Sequence, residues 1–393
     1  MAQRDLSMKK YDILILGASY GSLLGTKFVL AGHSVKMICR ENSAKVFNAE
    51  GARIRTPIKG RQEPVEVSSI NAPGNLSAGT PSSVNPQDFD LVILAMQEPQ
   101  YSSPDVRTLI ENVALSRVPC LSIMNMPPIP FLKRIPGVDV SSLLDCFKDS
   151  SIWQHFDPKK FTLCSPDPQA FRPPSEKINM LEVRLPTNFK AAYFEEVSDN
   201  QMLKDLSKDI EDIRFKLPDG NLVELPVKLK IHDTLFVPLA KWAMLLSGNY
   251  RCIHKEKITS IKEAVHTNLT ETQEIYDWVA ELCIKLGAKT SDLVPFDKYS
   301  KAAHSLITPS SAARALNSGV TNIERVDKLV MELGKQLGEN NSQVNSIVEI
   351  VDMWLDKNQK LQISTTKINH ISEFKQKARD IVSTLPLTSQ FQP

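Results

Sequence analysis

The sequence predicts an α/β fold, an N-terminal doubly wound parallel sheet over residues 1–231 followed by an all-helical domain over 232–393. Three observations carry this. Tyr11 to Arg40 reads as a complete strand, turn, helix and strand; apolar strands alternate with helical stretches from there to Met124; and from His232 onward the apolar spacing is helical.

The first unit is the most specific of these. Asp12 to Leu16 is a short run rich in branched residues, the pattern of a strand covered on both faces. Gly17 and Gly21 permit positive φ and close backbone approach, and the helix they open presents free N–H groups and its positive dipole end. Gly32 ends that helix, and Ser34 to Cys39 supplies the second strand. This is the Rossmann context in which a glycine turn holds a dinucleotide pyrophosphate, with Gly17, Ala18, Ser19, Tyr20, Gly21 and Ser22 as the candidate cradle. The usual spacing is G-x-G-x-x-G. A strict register places Ser19 and Ser22 where glycines belong, whereas a turn shorter by one residue makes Gly21 the third glycine, and the shorter turn is preferred. The alternative is a Rossmann unit whose turn serves packing alone.

Arg40 ends the second strand, where an NAD site generally carries Asp or Glu for the ribose 2′-hydroxyl. A guanidinium there pairs with a 2′-phosphate instead, so NADP(H) is the expected cofactor. The competing reading is a solvated pair between Arg40 and Glu41.

Further along, Ala52 to Ile58 and Val65 to Ile70 look like short strands, and Asn71 to Gln87 reads as a loop rich in Ser, Pro, Gly and Asn. Phe89 to Met96 and Val118 to Met124 are buried strands flanking a helix over Pro104 to Ser116. Ligands of such sheets bind beyond the carboxyl ends of the strands, so Gln97 and Asn125 should line the site. Ser150 to Pro174 is rich in proline and carries Trp153, Phe156, Phe161 and Phe171, which reads as an ordered surface insertion at about 150–178, either a lid or a packed loop. Met180 to Leu185, Ala191 to Phe194 and a helix near Met202 to Ile213 complete the first domain. Helices are then expected over Thr234 to Asn249, Leu269 to Leu286, Ser310 to Asn317, Asn322 to Leu337 and Gln343 to Lys357, with a frayed tail after Leu385.

Composition excludes several classes. Among 393 residues, 47 Lys and Arg stand against 45 Asp and Glu with no long basic run, so nothing points to nucleic acid or an anionic membrane surface. MAQRDLSMKK has charges and no apolar core, unlike a secretory signal or an anchor. Six scattered cysteines, without a C-x-x-C pair or clustered histidines, read as reduced thiols of a cytoplasmic protein and give no metal site.

Lys241 is the only charged residue in the apolar stretch TLFVPLAKWAMLLSGNY, where an ammonium is costly unless it faces a cleft or a partner. It is a candidate general acid, the alternative being a lysine snorkelling from the edge of a core helix. Asn249, eight residues on, returns to roughly the same helix face. Asn125 leaves a buried strand at the sheet's carboxyl edge, and Met126, Pro127 and Pro128 keep its exit extended. Ser311 and Glu324 complete the set, each with a structural role open to it: Ser311 as part of a helix start, Glu324 in the capping box Thr321-Asn322-Ile323-Glu324.

With Gly17 to Arg40, Asn125, Lys241, Asn249, Ser311 and Glu324 in this order, the chain resembles the ketopantoate reductase (2-dehydropantoate 2-reductase) family of the 6-phosphogluconate dehydrogenase-like group, thinly, over about residues 11 to 345. The resemblance implies a Rossmann domain binding NADPH joined to a helical domain, and reduction of the ketone of a small 2-oxo acid, with a homodimer as the candidate assembly. It also implies that Lys241 polarises and protonates the ketone oxygen, that Asn125 bridges substrate and nicotinamide, that Asn249, Ser311 and Glu324 hold the substrate's polar ends, and that Arg40 is the 2′-phosphate arginine. Leu245 stands where the family's helix has a second asparagine, Gln97 where lysine is common, and Asn125-Met126-Pro127-Pro128 replaces an Asn-Gly segment. These departures put the substrate in doubt more than the reaction, and a related 2-oxo acid or bulkier carbonyl compound stands beside ketopantoate. Two rival classes stay open: a non-catalytic NADP-binding sensor or scaffold, and an imine-reducing, opine-type dehydrogenase.

Overall fold

The computed structural model describes residues 9–166, 170–217 and 219–384, the last helix by its backbone alone beyond residue 364. The tail after Leu385 lies outside the described residues.

Eight strands build the main sheet: β1 (Asp12–Leu16), β2 (Ser34–Ile38), β3 (Asn75–Gly79), β4 (Leu91–Leu94), β5 (Cys120–Ile123), β6 (Phe161–Pro166), β7 (Thr187–Ala192) and β8 (Val227–His232). Their spatial order is β8-β7-β6-β5-β4-β1-β2-β3. The six from β3 to β6 run parallel, and β7 and β8 run parallel to each other but antiparallel to β6. This is the doubly wound order 3-2-1-4-5-6, whose direction of winding reverses between β1 and β4. A crevice therefore opens beyond the carboxyl ends of these two strands.

Alternation along β1 divides the hydrophobic interior. Ile13 and Ile15 enter the core under the helix α1 (Tyr20–Leu30) and the helix Val197–Asp212, whereas Leu14 and Leu16 point to the opposite face. That second core runs without a break from the sheet into the helical region, joining Leu94, Met124 and Phe161 to Trp242, Leu246, Tyr276 and Leu333. The sheet's carboxyl edge and the helices are thus packed as one body.

Three segments differ from the sequence reading. The loop expected over Asn71 to Gln87 contains β3, which pairs with β2 from Ser34↔Asn75 to Ile38↔Gly79. The segment beginning at Ser150 is no surface insertion in its first part: Trp153 and Phe161 are fully buried, Tyr101, Trp153, Phe156 and Phe161 pack mostly edge to face, and β6 sits between β5 and β7. The prolines mark its ends without excluding a strand between them. What remains peripheral is Ala170–Phe171, the edge of a four-stranded sheet ordered Val65–Ser68, Arg53–Thr56, Met180–Val183, Ala170–Phe171. Finally, the capping box at Thr321 does not form, because the helix begins at Val326 and Glu324 lies in the irregular segment before it.

After β8 the principal elements are helical, among them Leu269–Lys285, Phe296–Ala303, Ser311–Asn317, Val326–Gln336 and Ser342–Thr384. No described helix is long and apolar enough to cross a membrane.

Candidate active site and dinucleotide cleft

The turn after β1 is shaped by two glycines. Gly17 has φ +107°, and a Cβ on it would lie 2.6 Å from the Ala95 carbonyl oxygen at the end of β4. Its N–H donates to Ile38 O at 3.0 Å, tying the ends of β1 and β2 together. Gly21 is on the first turn of α1, where a Cβ would approach Ile15 Cγ2 to 2.6 Å, so it provides the close contact between helix and strand. The Ser22 hydroxyl folds back to donate to Ser19 O at 2.8 Å. Ser19 is exposed and makes no side-chain cap, and α1 carries no acidic residue in its first turn. The positive end of an 11-residue helix thus stands uncompensated behind a cradle that side chains would fill, which fits a dinucleotide pyrophosphate.

Arg40 is exposed just beyond β2, and Glu41 pairs with Lys45 at 2.9 Å, one turn along its own helix. Gln97 is also exposed and opens the short helical turn Glu98–Ser102, its N–H bonded to Gln100 Oε1 at 3.0 Å.

Across the crevice, Asn125 Nδ2 donates to Glu324 Oε2 at 3.3 Å, and Trp242 Nε1 donates to the Asn125 carbonyl oxygen at 3.4 Å. Glu324 is only 7% exposed, and Tyr250 fixes its backbone by donating to Glu324 O at 2.5 Å while accepting from Val326 N–H at 3.2 Å. Burial pushes the Glu324 carboxyl up to about 7, against the hydrogen bond from Asn125, the backbone N–H of Glu98 and the positive charge of Lys241. Lys241 is half-buried and near enough to act on that carboxylate, while Arg325 is held by Asp327 at 2.9 Å and Asp352 at 2.6 Å. Glu324 Oε1 and Asn125 Oδ1 are both buried without a hydrogen-bond partner.

Asn249 ends a π-helical turn, Leu245–Asn249, closed by Tyr250 N–H to Leu245 O at 2.9 Å. A π turn holds about one residue more than the ~3.6 of an α turn, so eight residues come closer to two full turns and bring Asn249 round toward the face of Lys241. The link from the next helix comes through Ser310, whose hydroxyl donates to Asn249 O at 2.6 Å and accepts from Ala313 N–H at 3.1 Å. Ser311 is exposed on the first turn of that helix.

Sequence reasoning missed Glu98, which is 1% exposed and raised to about 7 chiefly by burial; Lys148 N–H lies 3.2 and 3.3 Å from its two oxygens. It also missed Tyr250. In Gln97-Glu98-Pro99, Glu98 reads as an ordinary turn residue, and no local pattern marks its burial. A separate hollow of about 550 Å³ lies within the helical domain, lined by Arg251, His254, Lys257, Glu271 and Gln343, and holds none of these groups.

No protein-family model matches the sequence, and no curated protein matches it significantly. Solved structures do match. D-mandelate dehydrogenase in a ternary structure with NADH and anilino(oxo)acetate is 14% identical, with a TM-score of 0.58 over 88% of this chain and 99% of that one. The 2-dehydropantoate 2-reductase of Methylococcus capsulatus is 12% identical, with a TM-score of 0.58 over 88% and 97%. A dimeric ketopantoate reductase from Staphylococcus aureus is 10% identical, with a TM-score of 0.54 over 88% and 99%. A doubly wound sheet with its switch point between β1 and β4, followed by helices that pack on the sheet's carboxyl edge, is common ground with these proteins, and the chain has the ketopantoate reductase fold.

Proposed function

We propose that the protein is an NADPH-dependent oxidoreductase that reduces the ketone of a 2-oxo acid, 2-dehydropantoate or a related compound, to the alcohol, with Lys241 as proton donor. The observation that carries this reading is the convergence of Asn125, Lys241 and Glu324 at the end of β5, beside the glycine turn. Similarity of fold to a protein studied with NADH and anilino(oxo)acetate supports a nicotinamide cofactor and an oxo-acid substrate.

The turn Gly17 to Ser22 would hold the pyrophosphate and Arg40 the 2′-phosphate, with Gln97 and Asn125 along the cleft. The cofactor supplies a hydride when bound. A ketone that accepts hydride develops negative charge on oxygen, and the Lys241 ammonium stabilises that charge and then delivers the proton. Glu324 feels the charge of that ammonium and, with a carboxyl poised at about 7, can take up or return a proton near neutrality. Asn125 offers its free Oδ1 to a substrate hydroxyl or amide. Asn249 and Ser311 would meet the substrate's polar ends, with Ser310 positioning Asn249. Leu245 is buried in the common core, so the helix offers the substrate no second amide there. That supports a relative of ketopantoate over ketopantoate itself. A homodimer is proposed by analogy with the dimeric enzyme of the same fold. The six cysteines form no disulfide, which supports a reducing, cytoplasmic setting.

Oxidation of NADPH against a panel of 2-oxo acids, with and without amines, tests the proposal. Turnover that requires an amine replaces it with imine reduction. Tight binding of NADPH without oxidation by any carbonyl compound replaces it with a sensor or scaffold.

A further inference from the structure

Arg172 directly follows the edge strand Ala170–Phe171, and its side chain reaches the turn after β1, where Nη2 donates to the Ala18 carbonyl oxygen at 2.7 Å. Its charge also acts on the Cys39 thiol at the end of β2. The guanidinium thus stands between the carboxyl ends of β1 and β2, beside the uncompensated end of α1. Its Nε is buried without a hydrogen-bond partner, and among the described residues no carboxylate forms an ion pair with it. A half-buried cation with unused donors and no counter-ion among the described residues is expensive to keep, and an anion from outside the chain would complete it. A planar fork of N–H groups matches phosphate oxygens.

We propose that Arg172 is a phosphate-binding residue of the dinucleotide cleft, contributed by the small sheet and directed at the pyrophosphate. This rests on the cofactor reading above. Ala18 occupies one of its five N–H donors, which leaves others for phosphate oxygens. Arg40 and Arg172 then divide the recognition: Arg40 distinguishes NADPH from NADH, whereas Arg172 serves both.

Calorimetric titration of NADPH, NADH and ADP-ribose into the wild type, Arg172→Ala, Arg172→Gln and Arg40→Ala decides the matter without any turnover. All three ligands carry the pyrophosphate. Arg172→Ala is expected to raise Kd by about 10- to 100-fold for all three, the worth of hydrogen bonds to a charged group, and Arg40→Ala to raise it for NADPH alone. Arg172→Gln keeps a polar side chain while removing the charge and the guanidinium fork, so it should lose affinity as Arg172→Ala does, and it carries the test if the alanine variant folds poorly. Wild-type affinity for all three ligands in Arg172→Gln overturns the proposal, and so does a loss confined to NADPH. A wild-type protein that binds none of the three overturns the cofactor reading itself, and the role of Arg172 with it.

Discussion

Glu324 and Asn125 lie 199 positions apart and are joined across the crevice by a hydrogen bond of 3.3 Å. One end of the pair is the exit of a central strand, the other the irregular segment before a helix, which Tyr250 holds by its backbone. Each side chain retains a buried oxygen without a partner, Oε1 on Glu324 and Oδ1 on Asn125. A buried acceptor left unsatisfied costs about 1–3 kcal/mol. Both are available to a ligand that brings donors, and such a ligand would satisfy them.

The pH dependence of stability follows from the two buried carboxyls. Glu98 and Glu324 are each raised from 4.5 to about 7, with burial as the main cause. Between these values the folded chain holds protons that the unfolded chain has released, so both groups make stability fall as pH rises from 4.5 to about 7. Glu98→Gln and Glu324→Gln remove that contribution. In denaturant titrations each variant should therefore gain on the wild type as pH rises through this window. A difference that stays constant with pH contradicts the burial of charge described here.

Lys241→Ala should lower kcat by about 10² to 10⁴, the usual worth of a positioned acid, with little change in NADPH affinity. Lys241→Arg should rescue little, because a guanidinium does not readily release a proton. Full activity in the alanine variant, on any substrate the wild type reduces, sinks Lys241 as proton donor.

Arg40→Ala should weaken NADPH by about 1.5–3 kcal/mol and leave NADH nearly unchanged. Glu41 is engaged by Lys45, so no buried salt bridge is broken by the change and the fold should be unaffected. Equal losses for both cofactors would remove Arg40 from the 2′-phosphate site.

Gly17→Ala forces a side chain onto a backbone with φ +107° and against Ala95 O. A strained backbone of this kind costs of order 1–3 kcal/mol, and relief by opening the turn would separate the ends of β1 and β4. Lower unfolding midpoints together with weaker binding of both cofactors are expected; an unchanged midpoint would show that the turn tolerates a side chain.

Much of this was legible in the sequence wherever a local pattern coincides with a tertiary role. Asp12 to Leu16 and the strands before Gln97 and Asn125 have that property, and the lone Lys241 lies where its charge acts on Glu324. β3 escaped notice because Asn-Leu-Ser-Ala-Gly has Leu76 as its one large apolar residue and lies between Pro73-Gly74 and Thr80-Pro81, so turn residues mask its short alternation, and β2 holds it as an edge. Thr321 to Glu324 misled in the opposite direction, since a sound capping box goes unused when Glu324 is drawn to Asn125. The π turn was also hidden. Its extra residue depends on packing around Leu245 to Asn249, not on a recognisable motif. Arg172, among prolines, gave no sign of its approach to Ala18.

The small sheet has a consequence for synthesis on the ribosome. Arg53–Thr56 pairs on one side with Val65–Ser68, but its other edge waits for Met180–Val183. Domains emerge from the N-terminus onward, and an unpaired strand edge is a ready template for the wrong partner. The portion of the chain translated first therefore becomes complete only once much later residues arrive. Through that interval one edge of Arg53–Thr56 stays open to mispairing, and the rim carrying Arg172 has yet to be made.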